Sequence, residues 1–208
     1  MAVVGTGASA IQFVPEVAKE AGQLNIYQRS APWIMHKFDR EYPEWEKRLF
    51  RKVPARVALS RRFFFSVFEL LTYGFTNRHW VLKPMAALSN AYRRKELGDH
   101  PDLLAKATPD YQVGCKRALF TNDWYPTLKR DNVELIHGNA PRVTATGLVD
   151  AEGVERPADV IIWGTGFQPL DFVAPMEIRG LEGRELSAVW DGRPEAYLGT
   201  TVSGFPNF

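Results

Sequence analysis

The sequence is poor in the residues that most directly announce a chemistry. It has one cysteine, Cys115, in 208 residues, so no intramolecular disulfide can form and no Cys-x-x-Cys pair is present for thiol exchange or zinc. The histidines, His36, His79, His100 and His137, are scattered without metal-ligand spacing. Neither sign of charge is in excess: 26 Lys and Arg against 24 Asp and Glu leave +2, too balanced to argue for nucleic acid, whose binding leans on clustered cations. Long apolar runs are missing too. The nearest candidate, Phe63 to Phe75 (FFFSVFELLTYGF), contains Glu69 and falls short of the ~18 residues that span a bilayer. The amino terminus lacks the basic n-region of a secretory signal. These absences fit a cytoplasmic protein with no metal site and no nucleic-acid partner.

What is present begins at once. Ala2-Val3-Val4 reads as a strand, Gly5 to Ala10 as a turn, and Ile11 to Ala21 as a helix with Ile11, Val14, Val17 and Ala18 on one face. Pro15 inside that pattern is expected to kink the helix or shift its first turn. Gly22 stops it, and Leu24 to Tyr27 alternates like a strand. Gly5-x-Gly7-x-x-Ala10 between a strand and a helix is the dinucleotide fingerprint of a Rossmann unit in its Ala-ending form. Gly5 permits the tight turn, Gly7 lets backbone approach a pyrophosphate, and Ala10 keeps helix and strand close. The helix N-terminus offers amide donors to the phosphates, and Ser9 adds a hydroxyl.

The end of the second strand selects the nucleotide. An NAD site carries Asp or Glu about 20 residues after the glycines. Here the place reads Gln28-Arg29-Ser30. A guanidinium and a hydroxyl suit a 2′-phosphate, so the expected cofactor is NADP(H) rather than NAD(H).

The expected fold is α/β: a Rossmann-like dinucleotide-binding domain with a parallel sheet, a β-meander crossover and a helical insertion. Residues 1–36 and 108–170 form the domain. The insertion, residues 37–107, should hold two to four helices broken by Pro54, Gly74 and Pro84. Its first part is basic (Lys37, Arg40, Lys47, Arg48, Arg51, Lys52, Arg56, Arg61, Arg62) and runs into the aromatic stretch. The favoured reading is a solvated face over a buried aromatic stripe; a substrate lid or a membrane-surface contact is the alternative. Val133 to Ile136 reads as a strand. Residues 142–156 read as a meander turning at Thr146-Gly147 and at 151–153, and Val160 to Trp163 as a buried strand ending in Gly164-Thr165-Gly166. Residues 171–208 begin a less regular return segment.

Five segments in order, VVGTGASAIQ, IYQRSAPW, GCKRALFTNDWYPTL, ADVIIWGTGF and YLGTTVSGFPNF, resemble successive motifs of the class B flavoprotein monooxygenases, and most of all their Baeyer–Villiger branch. The resemblance implies an enzyme in which NADPH reduces FAD, and the reduced flavin uses O2 to place one oxygen beside a small apolar ketone or on a soft nitrogen or sulfur. It implies that Thr6, Gly7, Ala8, Ser9, Ala10 and Gln12 line the NADP pyrophosphate with Gly5. Arg29, Ser30 and Lys116 would hold the 2′-phosphate. Arg117 would be the catalytic arginine beside flavin and nicotinamide, and Thr165-Gly166 the strand end facing a cofactor. A guanidinium keeps its charge at any working pH, which is what an anionic oxygen species needs beside it. Trp124-Tyr125 hints at an apolar substrate, although aromatics in a turn more often pack locally. Asp159 is expected to be a turn residue.

Parts of the family pattern are absent: the FAD fingerprint, the aspartate that follows it, and the signature FxGxxxHxxxW. The expectation is therefore a piece of such an enzyme, holding little or no FAD by itself. A non-catalytic NADP-binding module is the competing reading. A flavin disulfide reductase would need a redox cysteine pair, and Cys115 stands alone.

Overall fold

The structure, a computed structural model, describes residues 1–167, 172–173 and 175–207. It divides into two compact units, Met1–Thr165 and Gly166–Phe208. The boundary expected at 170/171 lies outside the described residues.

The first unit starts as the sequence reads: β1 (Ala2–Val4), α1 (Ala10–Glu20), β2 (Leu24–Gln28). Helix α1 buries Ala10, Ile11, Val14 and Ala18, and each fully buried aliphatic of Val or Ile size contributes about 1.5–3 kcal/mol. Pro15 does not break the helix; it sits buried within it. A proline there removes one amide donor, and the packed face beside it holds the turn. The four-stranded sheet has the order β5-β2-β1-β9, all parallel, where β5 is Val133–His137 and β9 is Ile161–Trp163. Val3 pairs with Ile26 on one side and Ile162 on the other, and Ile26 pairs with Leu135. The chain leaves β1 towards β2 and returns on β1's far side as β9. The strand order therefore reverses at the β1–β9 boundary, the arrangement of a Rossmann-like sheet.

Two strands differ from their sequence reading. All five residues of β2 are buried, because the strand lies between two others with elements packed on both faces, so polarity alternates without burial alternating. Conversely, β9 is an edge strand, and Trp163 is 57% exposed despite the apolar run Val160 to Trp163. Burial of that run depends on a neighbour on its outer side, and among the described residues no strand pairs there.

Between β2 and β5 the chain first makes β3 (Ile34–Met35), then α2 (Glu44–Lys52), α3 (Pro54–Thr76), a 3-10 turn (His79–Leu82), α4 (Lys83–Leu97) and α5 (Pro101–Lys106). It returns through β4 (Leu119–Phe120) and α6 (Trp124–Leu128). Pro54 and Pro84 open helices, where a missing amide costs nothing. Gly74 does not interrupt α3. It lies buried inside it, and a methyl there would meet the Leu82 side chain. Glycine is thus the close-approach point between α3 and the 3-10 turn. The expected burial of the aromatic stripe is overturned: Phe63, Phe64, Phe65 and Phe68 are exposed. The reason is that α3 packs mainly on α2 and the 3-10 turn, at its ends, and no element covers its middle among the described residues. Trp124 and Tyr125 lie on a helix and are fully buried in the core with Leu97, Leu128 and Leu135, so they fill space rather than line a surface pocket.

After β5 come β6 (Arg142–Val143), β7 (Gly147–Val149) and β8 (Glu155–Pro157), an antiparallel meander. Its first turn is one residue earlier than expected, since Gly147 already belongs to β7 and abuts the Arg156 carbonyl. Asp150, buried at the second turn, accepts from the amides of Glu152 and Val154 and from Arg156 Nε; Arg156 also reaches Glu134 of β5 at 2.7 Å. This ties the meander to the parallel sheet. In the second unit, α7 (Leu186–Trp190) and the loops around it bury Val173, Leu186 and Phe205 together.

Candidate functional site

The carboxyl ends of the parallel strands bring the expected residues to one edge. Gly5 follows β1 with φ +110, and a side chain there would run into the Gly164 carbonyl at the end of β9. The turn continues through Gly7, where added side-chain volume would meet nothing within 4 Å. The amides of Gly7, Ala8 and Ser9 find no acceptor among the described residues, and helical hydrogen bonding starts only with Ile11 N–H to the Gly7 carbonyl at 3.1 Å. Ser9 precedes α1 without using its hydroxyl as a cap. Thr6 is largely buried and Ala10 wholly so. Gln12 Nε2 donates back to the Ala8 carbonyl at 2.8 Å and braces the turn. The result is a concave row of free amides at a helix start, open on its outer side, which suits a diphosphate.

The second half of the site is assembled from distant sequence. The β3–β4 pair is parallel, Ile34 to Leu119 and Met35 to Phe120. Leu119 N–H donates to the Trp33 carbonyl at 2.8 Å, and Trp33 Nε1 donates to the Tyr111 carbonyl at 3.0 Å. These bonds fasten the loop before β4 beside the end of β2. Lys116 Nζ consequently donates to the Ser30 hydroxyl at 2.6 Å, across a sequence separation of 86. The same ammonium lies 4.5 Å from the centroid of the Tyr111 ring. Burial raises the Tyr111 phenol above its usual range, with the Trp33 backbone, rather than its indole, acting in opposition, so the ring stays neutral and presents a face to the cation. Tyr111 was not among the residues singled out from sequence; its signal, an aromatic five residues before a lysine, is unreadable until the loop is closed. The short β3–β4 ladder was missed for the same reason.

Arg29 and Arg117 are exposed and form no ion pair among the described residues. Gly114, with φ +101, sets the loop that carries Lys116 and Arg117 directly on Phe75 of α3 and on Leu82. Thr165 is exposed past β9, and Gly166 opens the second unit with φ +94. Asp159 is an exposed bend residue. An open cleft of about 790 Å³, lined by Met1, Gln23, Glu134, Arg156 and Val160 among others, lies at the opposite, amino-terminal edge of the sheet and shares no residue with this arrangement.

A parallel sheet of this order, with a glycine turn and free amides where the strand order reverses, defines a Rossmann-type dinucleotide-binding unit. No family model matches the sequence. The chain is 44% identical over 207 residues to a Baeyer–Villiger monooxygenase of Pseudomonas aeruginosa, using all of this chain and 39% of that protein. It is 38% identical over 208 residues to a Baeyer–Villiger monooxygenase of Streptomyces coelicolor, covering 40% of it. Among solved structures, an oxidised steroid monooxygenase bound to NADP matches all of this chain at TM-score 0.76 and 26% identity, over 46% of its own length. A complex of OTEMO with FAD and NADP matches at TM-score 0.79 and 26% identity, again over all of this chain and 46% of the other. The chain is thus Baeyer–Villiger monooxygenase-like from end to end, and it spans about 40% of the length of these curated relatives.

Proposed function

We propose that this chain binds NADPH and presents Arg117 to the flavin of an FAD-dependent monooxygenase that inserts one oxygen atom of O2 beside a ketone. The Lys116–Ser30 hydrogen bond carries the reading. It gathers an ammonium and a hydroxyl at the end of β2, next in sequence to Arg29, where an NAD-selective site would place a carboxylate. Residues 28–33 contain no carboxylate. Two cations and a hydroxyl suit a dianionic 2′-phosphate, and the open amides of Gly7, Ala8 and Ser9 suit the diphosphate. Relatives named as Baeyer–Villiger monooxygenases favour a ketone over a nitrogen or sulfur substrate, and the related structures were obtained with NADP or with both FAD and NADP.

Bound flavin supplies the redox chemistry and the activation of O2. The chain's own part is binding, orientation and charge. Arg117 shares the short loop of Lys116, so the group that grips the nucleotide's phosphate and the group offered to the reacting oxygen are set by one backbone segment. Its guanidinium holds a fixed positive charge where negative charge grows on oxygen. We take the protein to be cytoplasmic, a reading that its lone exposed cysteine supports. Comparative titration of the full chain with NADPH and NADH tests the assignment: NADPH is expected to bind at least about tenfold more tightly, a difference of ~1.4 kcal/mol, and equal affinities would overturn it.

A further inference from the structure

Helix α3 is built for something its surroundings do not provide. From Arg62 onward, helical spacing puts Phe64, Val67, Phe68, Leu71 and Phe75 on one face and Arg62, Ser66, Glu69, Tyr73 and Thr76 on the other. The carboxyl end of the apolar face is used. Leu71 joins the cluster of Trp33, Leu82 and Val113, and Phe75 rests on Gly114. The rest of the face runs on past the body of the protein. Phe64 is 54% and Phe68 64% exposed, and Phe63 and Phe65 at its flanks are exposed as well. An uninterrupted row of bare phenylalanines is far more than the scattered apolar residues of an ordinary surface.

The charge beside it is equally one-sided. In the stretch leading into α3, Lys37, Arg40 and Lys47 are taken by Asp39, Glu46 and Glu44. Arg56 faces Glu46, whereas Arg48, Arg51, Lys52, Arg61 and Arg62 are exposed and form no ion pair among the described residues. Glu69 is the only acidic residue of α3. Unpaired cations at the amino-terminal end of an uncovered aromatic face match one kind of surface: apolar a few ångströms in, anionic at its boundary.

We propose that α3 and the basic end of α2 dock the protein on an anionic lipid bilayer, with the phenylalanines in the acyl boundary and the arginines among the headgroup phosphates. The contact is peripheral; among the described residues no helix is long and apolar enough to cross a membrane. Arginine suits this role because its planar guanidinium grips phosphate in pairs of hydrogen bonds.

The test is co-sedimentation of the full chain with vesicles of phosphatidylcholine alone and of phosphatidylcholine with an equal part of phosphatidylglycerol. Binding is expected only with the anionic vesicles, and is expected to fall away near 0.5 M salt, where screening acts over about 4 Å. Two double variants separate the components: Arg61→Glu with Arg62→Glu, and Phe64→Asp with Phe68→Asp. Each should lower the bound fraction at least about tenfold with an unchanged circular dichroism spectrum, since all four side chains are exposed. No sedimentation with anionic vesicles, or sedimentation that both variants keep, would overturn the proposal. So would a concentration-dependent dimer that the phenylalanine variant dissolves, which would assign the face to a second copy. Protection of the Phe64 and Phe68 rings from hydroxyl-radical oxidation without vesicles would assign it to another part of the same protein and overturn the proposal equally.

Discussion

Gly5 and Gly164 meet where β1 and β9 end, and the gap between them admits a side chain on one but not on the other. A methyl on Gly5 would collide with the Gly164 carbonyl, and its φ of +110 is one that L-residues rarely adopt. A methyl on Gly164 would find ordinary contacts at 3.4 Å or more. Gly5→Ala is therefore expected to destabilise the protein by about 2–4 kcal/mol, and Gly164→Ala by less than about 1 kcal/mol. Urea midpoints of the two variants check this; similar losses would show that the two strand ends are not packed as described.

The 2′-phosphate site separates into a preassembled and a free part. Lys116 is already held by Ser30 and Tyr111, whereas Arg29 has no partner among the described residues. Lys116→Ala and Arg29→Ala should each weaken NADPH by about tenfold, at the low end of a charge-assisted hydrogen bond because both groups are exposed. NADH binding should not change. A matching loss for NADH in either variant would remove that residue from phosphate recognition.

Arg117 is exposed and forms no ion pair or side-chain hydrogen bond among the described residues. In the complete enzyme, Arg117→Ala is expected to keep its melting temperature within about 2 °C while ketone oxygenation falls by at least about a hundredfold, as for loss of one donor to a developing oxyanion. Product formation at the unmodified rate would end its assignment as a catalytic residue.

Acid should loosen the meander first. The Asp150 carboxyl is held below its usual range, chiefly by the Val154 amide, with Arg156 and the Glu152 amide adding to the effect against burial. A group lowered in the folded state binds fewer protons there than in the unfolded chain. Its stabilisation is therefore complete above the ordinary carboxylate range, near pH 4, and is lost as pH falls through the lower folded value. Asp150→Asn should lower the melting temperature at neutral pH and flatten its decline between about pH 5 and pH 3. A decline as steep as the parent's would mean that other carboxylates govern acid unfolding.

The parts legible in the sequence were those with a strict local rule. The glycine turn was readable because Gly5, Gly7 and Ala10 answer separate steric demands at fixed spacing, and the meander because Gly147 and Gly153 punctuate short strands. Residues whose setting depends on distant neighbours were not. Val160 to Trp163 looks like an interior strand until topology leaves it on an edge. Trp124 and Tyr125 were expected to pack locally, but their place in the main core becomes visible only once α6 is formed. The Phe63 to Phe68 run looks interior by composition, and only the position of α3 shows it bare. Arg29, Ser30 and Lys116 could be named from the resemblance, yet what draws Ser30 and Lys116 together, the β3–β4 ladder and the Trp33–Tyr111 bond, has no sequence signature.

The seat of Gly114 on Phe75 and Leu82 ties the loop of Arg117 to the end of α3. At 23 residues that helix is roughly 35 Å long, packed on α2 at its start and, near its other end, against the glycine three positions ahead of Arg117. A side chain at position 114 would have to displace the end of α3, and the loop of Lys116 and Arg117 would move with it.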